Sequence, residues 1–322
     1  MINSKDIEKK WLSIDVKDIT GFRYIRLDKN SKPEFNIGFN SNGCRCIILE
    51  LPKGFSFDFN FVKKENLSIR NIKKENYIVI ELLNINYNDL FNDLLLSLYQ
   101  KIKDITHAQD YSNEFVLTFG KWIEFFENDR KNQLSEEQIQ GLFGELFVLN
   151  EYLKKSNPST INSLLSSWKG LYDSANDFEF DLKNVEVKTK KDSILFVKIS
   201  SEYQLEKELD KSLELLVVSV RIDLINGKSI FDMLLEIIKL LRETLGDLSI
   251  LYRALNQKGL TVENLKQYNN HRFIVTKTES FNAGHIDFPK LSISNIDSEI
   301  LNLKYKLRVT QLDEYLIESK KY

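Results

Sequence analysis

The sequence predicts a mixed α/β protein (α+β in arrangement), a helix-flanked sheet preceded by a β-rich region. Three observations carry this. Short apolar runs separated by turn residues recur between Phe22 and Leu83. From Tyr87 to about Asp129 the apolar residues take up the period of a helix. From Ser135 onward the order is helix, paired strands, strand, helix, strand, which describes a mixed sheet with helices on it.

At 322 residues, 42% of them hydrophobic and 11% aromatic, the chain can bury a sizeable core, which excludes a disordered protein. The formal net charge of −2 leaves no overall basic footprint, so any contact with nucleic acid has to come from a local patch. Cys44 and Cys46 stand two apart with no other cysteine, too few for a disulfide framework or a zinc site. The opening residues Met1 to Lys10 hold no apolar targeting segment. The longest apolar run, Leu213 to Val220, is too short to span a bilayer. These features predict a cytoplasmic protein without a membrane partner.

A short helix is expected at 5–13. Strand-like runs follow at Tyr24–Leu27, Phe35–Phe39, Cys46–Leu51, Phe55–Phe61, Leu67–Arg70 and Tyr77–Leu82, with turn material such as Asn40–Gly43 between them. Leu90, Phe91, Leu94, Leu95, Leu98 and Ile102 mark one amphipathic helix, and Phe115, Phe119, Trp122, Ile123 and Phe126 a second. The expected division is a β-rich domain at 1–86, a helical connector at 87–134 with a polar loop at 128–132, and a second domain at 135–322.

Ser135-Glu-Glu-Gln138 reads as a capping box opening the next helix, whose apolar stripe runs from Ile139 to Leu153. Glu145 lies at the border of that stripe, with Gly141 and Gly144 on the same side. A connector, Ser166–Gly170, leads to strands at Ile194–Ser200 and Leu213–Asp223. Ser229–Asp232 then caps a long helix, and another runs from Leu248 to a stop at Gly259. Late strands are expected at His271–Thr276 and Leu303–Val309, and a short helix after Thr310.

The chemistry concentrates in Asp177 to Lys188, two alternating runs joined by Lys183-Asn184. As a hairpin, they place Phe178, Phe180, Leu182, Val185 and Val187 on a buried face. Asp177, Glu179, Asp181, Glu186 and Lys188 fall on a wet one. Acids crowded on one strand face repel one another and call for a metal or a substrate to neutralise them. Asp177, Glu179, Asp181 and the nearby Asp173 compete as the first acid of a site, Glu179 being the main rival to Asp177. The bland alternative is a solvated strand face paired with Lys188, Lys190 and Lys198.

Glu145 on a helix, then Asp177, then Glu186-Val187-Lys188 on consecutive strands, resembles the PD-(D/E)XK nuclease superfamily. Gly141–Leu146, Trp168-Lys-Gly170, Asp177-Phe178, Glu186–Thr189 and Ile199–Leu205 together are similar to a bacterial "PD-(D/E)XK motif protein" family associated with restriction and phage-defence loci. The similarity is good over residues 135–225 and elsewhere rests on length and layout. Asn176 stands where the superfamily name has its proline.

The resemblance implies a restriction-endonuclease-like core and a DNA endonuclease of type II restriction character. It implies Mg²⁺, with Mn²⁺ able to substitute, held by Asp177, Glu186, Glu145 and the Val187 carbonyl. Lys188 would orient the attacking water or stabilise charge on the phosphate, and Gln204 is an accessory candidate. Lys169, the segment Lys188–Lys191 and Lys198 could contact phosphates. The expected partners are double-stranded DNA, a second copy of the chain, since one site cuts one strand, and proteins of a defence operon. Two other readings stay open: a repair or resolvase nuclease on branched or damaged DNA, and an inactive nucleic-acid-binding or assembly subunit keeping the fold. His107, His271 and His285 lack ligand spacing, and Gly141-x-x-Gly144 lacks the lysine of a phosphate loop.

Overall fold

A computed structural model describes residues 4–17, 19–126, 134–172 and 174–322. Asp173 and the polar loop expected at 128–132 lie outside the described residues. The chain divides into two compact units, Met1–Asp129 and Arg130–Tyr322.

The first unit opens with helix α1 (Ser4–Leu12). It continues through strands β1 (Phe22–Arg26), β2 (Glu34–Asn40), β3 (Arg45–Glu50), β4 (Val62–Lys63), β5 (Leu67–Ile72) and β6 (Tyr77–Leu82). Helices α2 (Asn88–Ile102) and α3 (Ala108–Trp122) close it. The strands form one antiparallel sheet in the order β1-β2-β3-β6-β5-β4. Alternation sends Phe35, Ile37, Ile47, Leu49, Ile78 and Ile80 to one buried face, where Phe35 meets Tyr99 of α2 and Phe115 of α3. The strand expected at Phe55–Phe61 does not form. That stretch is held as a loop by side chains: Asn76 Nδ2 donates to the Phe55 carbonyl at 3.1 Å, and Asn71 Nδ2 to that of Phe57.

The second unit begins with α4 (Glu136–Lys155), opened by the expected reciprocal cap of Ser135 and Gln138. Next come α5 (Ile161–Ser167), β7 (Phe178–Glu179), β8 (Lys183–Lys191), β9 (Phe196–Ile199) and β10 (Ser212–Ile222). After these lie α6 (Ile230–Thr244), α7 (Leu248–Gln257), α8 (Val262–Leu265), β11 (Phe273–Asn282), β12 (Tyr305–Arg308) and β13 (Leu316–Lys321). Five strands make a mixed sheet in the order β13-β11-β10-β8-β7, with β8 and β10 parallel and the other pairs antiparallel. The remaining two, β9 and β12, form a separate antiparallel ribbon.

Helix α4 covers one side of β8 at close range. A Cβ on Gly144 would stand 1.8 Å from Thr189 Oγ1, so only glycine lets the helix approach there. On the opposite side, Val197, Ile199 and Leu307 of the ribbon pack with Leu215, Val217 and Phe281 of the sheet. The architecture is that of an α+β fold with a central mixed sheet. Among the described residues no helix is long and apolar enough to cross a membrane.

Three local expectations fail. Leu182, expected inside, is 75% exposed, because β7 ends at Glu179 and the following residues turn the chain. The connector expected at Ser166–Gly170 begins inside a helix, since Ile161–Ser167 form α5. After Thr310 there is no α-helix: two 3₁₀ turns lead into β13, whose partner β11 lies about 40 residues back in the chain.

Candidate active site

The hairpin of β7 and β8 aligns Phe178 with Val185 and Glu179 with Asn184, which sets Asp177 beside Glu186-Val187. The Val187 backbone N–H donates to Asp177 Oδ2 at 2.7 Å. The connector fixes the same residue from behind, where the backbone N–H groups of Lys169 and Gly170 donate to the Asp177 carbonyl at 2.7 and 3.1 Å. The position of Asp177 is thus tied from two directions.

Glu145 reaches this point from α4. Its Oε2 accepts the Trp168 indole N–H at 3.0 Å. Gly170 packs against both carboxylates, and a Cβ there would lie 2.0 Å from Glu145 Oε2 and 2.8 Å from Asp177 Oδ1. The two acids therefore converge over one glycine, in space that any larger residue would fill.

Glu186 and Lys188, two apart on β8, share a side of the strand. The face expected to be wet is buried at Glu186, which is only 2% exposed. Its strand runs between β10 and β7, and its carboxylate takes the Lys188 ammonium at 2.7 Å together with a hydrogen bond from Asn176. Lys188 also donates to Gln204 Oε1 at 3.0 Å. Gln204 is held in turn by the Ser200 N–H on the same oxygen, at 2.8 Å, and by Asn176 Nδ2 on its carbonyl, also at 2.8 Å.

These side chains form the floor of a cleft of about 620 Å³, whose walls include Gly141, Lys190, Lys198, Phe196 and His271. Removal from water raises the pKa of Glu145 to about 7; the Trp168 hydrogen bond opposes the rise and the Glu186 charge adds to it. Burial, then Glu186 and Glu145, push Asp177 well above the usual carboxylate range. Glu186 is also raised by burial, against the pull of Lys188 and Asn176. Burial alone would lower Lys188, but the Glu186 and Asp177 charges outweigh it and hold the ammonium above its ordinary value.

Two of the rival acids stand elsewhere. Glu179 accepts a hydrogen bond from Ser174 Oγ and does not line the cleft, and Asp181 is exposed at the turn. Trp168, Gly170 and Asn176 touch the candidate residues, a placement that residue chemistry alone did not assign. The signal was the unexplained Trp-Lys-Gly just ahead of the first acid.

The donor set fits a hard divalent cation. Three carboxylates share the cleft with one ammonium, and burial is the first cause that raises all three acids, so a bound cation would favour their ionised forms. The fit is one of chemistry and not of a finished cage: among the described residues no three His, Cys, Asp or Glu side chains are grouped to hold a metal. Glu186 is turned to Lys188, while Glu145 and Asp177 meet at Gly170.

A family model described as "Putative PD-(D/E)XK family member, (DUF4420)" matches residues 7–310. The chain belongs to this family. No curated protein and no solved structure matches it. As a PD-(D/E)XK family member it has a restriction-endonuclease-like core, to which the mixed sheet with α4 against β8 corresponds. Asp177 ahead of Glu186-Val187-Lys188 has the residue types that the family name spells out, an acid followed by Glu-x-Lys.

Proposed function

We propose that this PD-(D/E)XK family member is a Mg²⁺-dependent endodeoxyribonuclease acting on duplex DNA in restriction-type defence, with Mn²⁺ able to replace Mg²⁺. One observation carries the reading: a helix acid, Glu145, the acid just ahead of β7, Asp177, and a strand acid, Glu186, line one open cleft together with the half-buried Lys188. Asp177, Glu186 and Glu145, with the Val187 carbonyl, would hold the cation. When bound, it polarises the scissile phosphate and lowers the pKa of a water.

The chain's own residues supply the rest. Lys188 carries its proton throughout the neutral range and presents N–H donors where negative charge develops on the phosphate. Gln204 keeps that ammonium in the cleft, and Trp168 holds the Glu145 carboxylate facing Asp177. Lys190 and Lys198, which line the cleft, would contact flanking phosphates.

A second reading, an inactive binding subunit, is favoured by one observation: the Glu186–Lys188 pair is closed and no three-acid group is assembled among the described residues. A panel of linear, phage, modified and branched DNAs incubated with Mg²⁺ separates the readings. Cleavage of foreign duplex supports restriction, and cleavage confined to branched substrates supports repair. Binding without any cleavage overturns the nuclease reading.

A further inference from the structure

The ribbon of β9 and β12 has two unlike faces. Val197, Ile199 and Leu307 point into the core and are at most 6% exposed. The opposite face carries Phe196, Lys198, Lys306 and Arg308, and its three cations are exposed. The register sets Lys198 directly against Lys306 and Phe196 against Arg308. The Val309 N–H bonds to the Leu195 carbonyl at 3.1 Å. Counting from that pair, 198/306 and 196/308 are the non-hydrogen-bonded positions, where facing side chains come closest. Like charges directly opposite destabilise a sheet, so this ribbon bears a cost that folding does not require.

Two of the three cations find partial relief on the chain. Glu137 holds Lys198 at 2.7 Å. Lys306 lies over the Phe196 ring at 4.5 Å, and the Arg308 guanidinium has no hydrogen bond or ion pair among the described residues. Phe196 and Lys198 also line the cleft that holds Glu145, Asp177, Glu186 and Lys188, so the cationic face continues the wall of the candidate active site.

We infer that the outer face of the β9–β12 ribbon is a docking surface for duplex DNA. Lys306 and Arg308 contact phosphates, and the two-stranded ribbon seats in the major groove. Its charge complements a polyanion. A two-stranded ribbon fits the roughly 12 Å major groove of B-form DNA, whereas the A-form major groove is too narrow to admit it. The choice of DNA rests on the nuclease reading above; the faces and register of the ribbon do not.

The test is fluorescence anisotropy of a labelled 20-base-pair duplex with full-length protein in EDTA, which reads binding without cleavage. Lys306→Ala/Arg308→Ala should bind at least about tenfold more weakly. Its log-affinity against log-salt slope should be shallower by about 2, one for each phosphate that no longer meets a cation. Lys121→Ala, on α3, should match wild type. Unchanged affinity and slope in the double variant overturn the inference, as do failure of the wild type to bind duplex and tighter binding to an RNA duplex of the same sequence. Loss of binding with intact circular dichroism and melting temperature upholds it. Because the nuclease reading is judged by cleavage with Mg²⁺, the two can fail separately.

Discussion

Trp168 donates its indole N–H to Glu145 Oε2 across 3.0 Å, joining the turn ahead of β7 to the middle of α4. The bond matters because Glu145 is a carboxylate withdrawn from water, with Asp177 and Glu186 close by. Its partner sets which way the acid faces.

Trp168→Phe should keep the ring packing and lose the donor. The expected cost is about 1–3 kcal/mol of stability, that of a buried acceptor left without its hydrogen bond, with cleavage slowed roughly tenfold. Urea melts and single-turnover rates check both. A variant equal to wild type in rate would show that Glu145 needs no such orientation.

Gly170→Ala places a methyl 2.0 Å from Glu145 Oε2 and 2.8 Å from Asp177 Oδ1. The carboxylates must part, so cleavage should fall by about 100-fold or more while stability drops by about 1–3 kcal/mol, the range for overpacking. Gly141→Ala is the comparison, since a Cβ there meets nothing within 4 Å.

The raised acids give metal-free protein a defined pH dependence. A carboxylate with a folded pKa above its unfolded one binds its proton more tightly when folded. Its stabilising contribution is complete below the unfolded value near 4.5 and is lost as pH rises through the folded value, about 7 for Glu145. Melting temperature in EDTA should therefore fall between pH 5 and 8, with Glu145 alone accounting for on the order of 3 kcal/mol. Lys188 is raised too, but its contribution changes only above its ordinary value of 10.5, outside this window. Glu145→Gln should flatten the profile, and Mg²⁺ should raise the melting temperature more at pH 8 than at pH 5.5.

Asp177→Asn and Glu179→Gln distinguish the two candidate first acids. The former removes a charge from the cleft floor, while the latter changes a residue bonded to Ser174 outside it. Single-turnover cleavage should drop by at least about 1,000-fold for Asp177→Asn and stay within about threefold for Glu179→Gln.

The hairpin was legible because period-two alternation over Phe178 to Lys188 has few other readings. The helix acid was legible because Glu145 borders an apolar stripe with a clear cap at Ser135. Other features depend on partners far away in the chain. The burial of Glu186 depends on β10, and the Lys188 ammonium beside it is held by Gln204, neither of which any local pattern around Glu186 encodes. Strand β13 depends on β11, and its Leu-Ile-Glu-Ser-Lys-Lys shows no alternation of its own. Conversely, Phe55 to Phe61 alternates like a strand yet stays a loop, because Asn71 and Asn76 take its carbonyls.

The central claim is that Asp177, Glu186, Glu145 and Lys188 form one phosphodiester-cleaving centre. The most direct measurement is the rate at which purified protein nicks or linearises supercoiled plasmid with Mg²⁺, beside Asp177→Ala and Lys188→Ala. The predicted result is cleavage by wild type that EDTA abolishes, and loss of at least about 1,000-fold in each variant. Cleavage that survives Lys188→Ala unchanged, or that proceeds in EDTA, would contradict it.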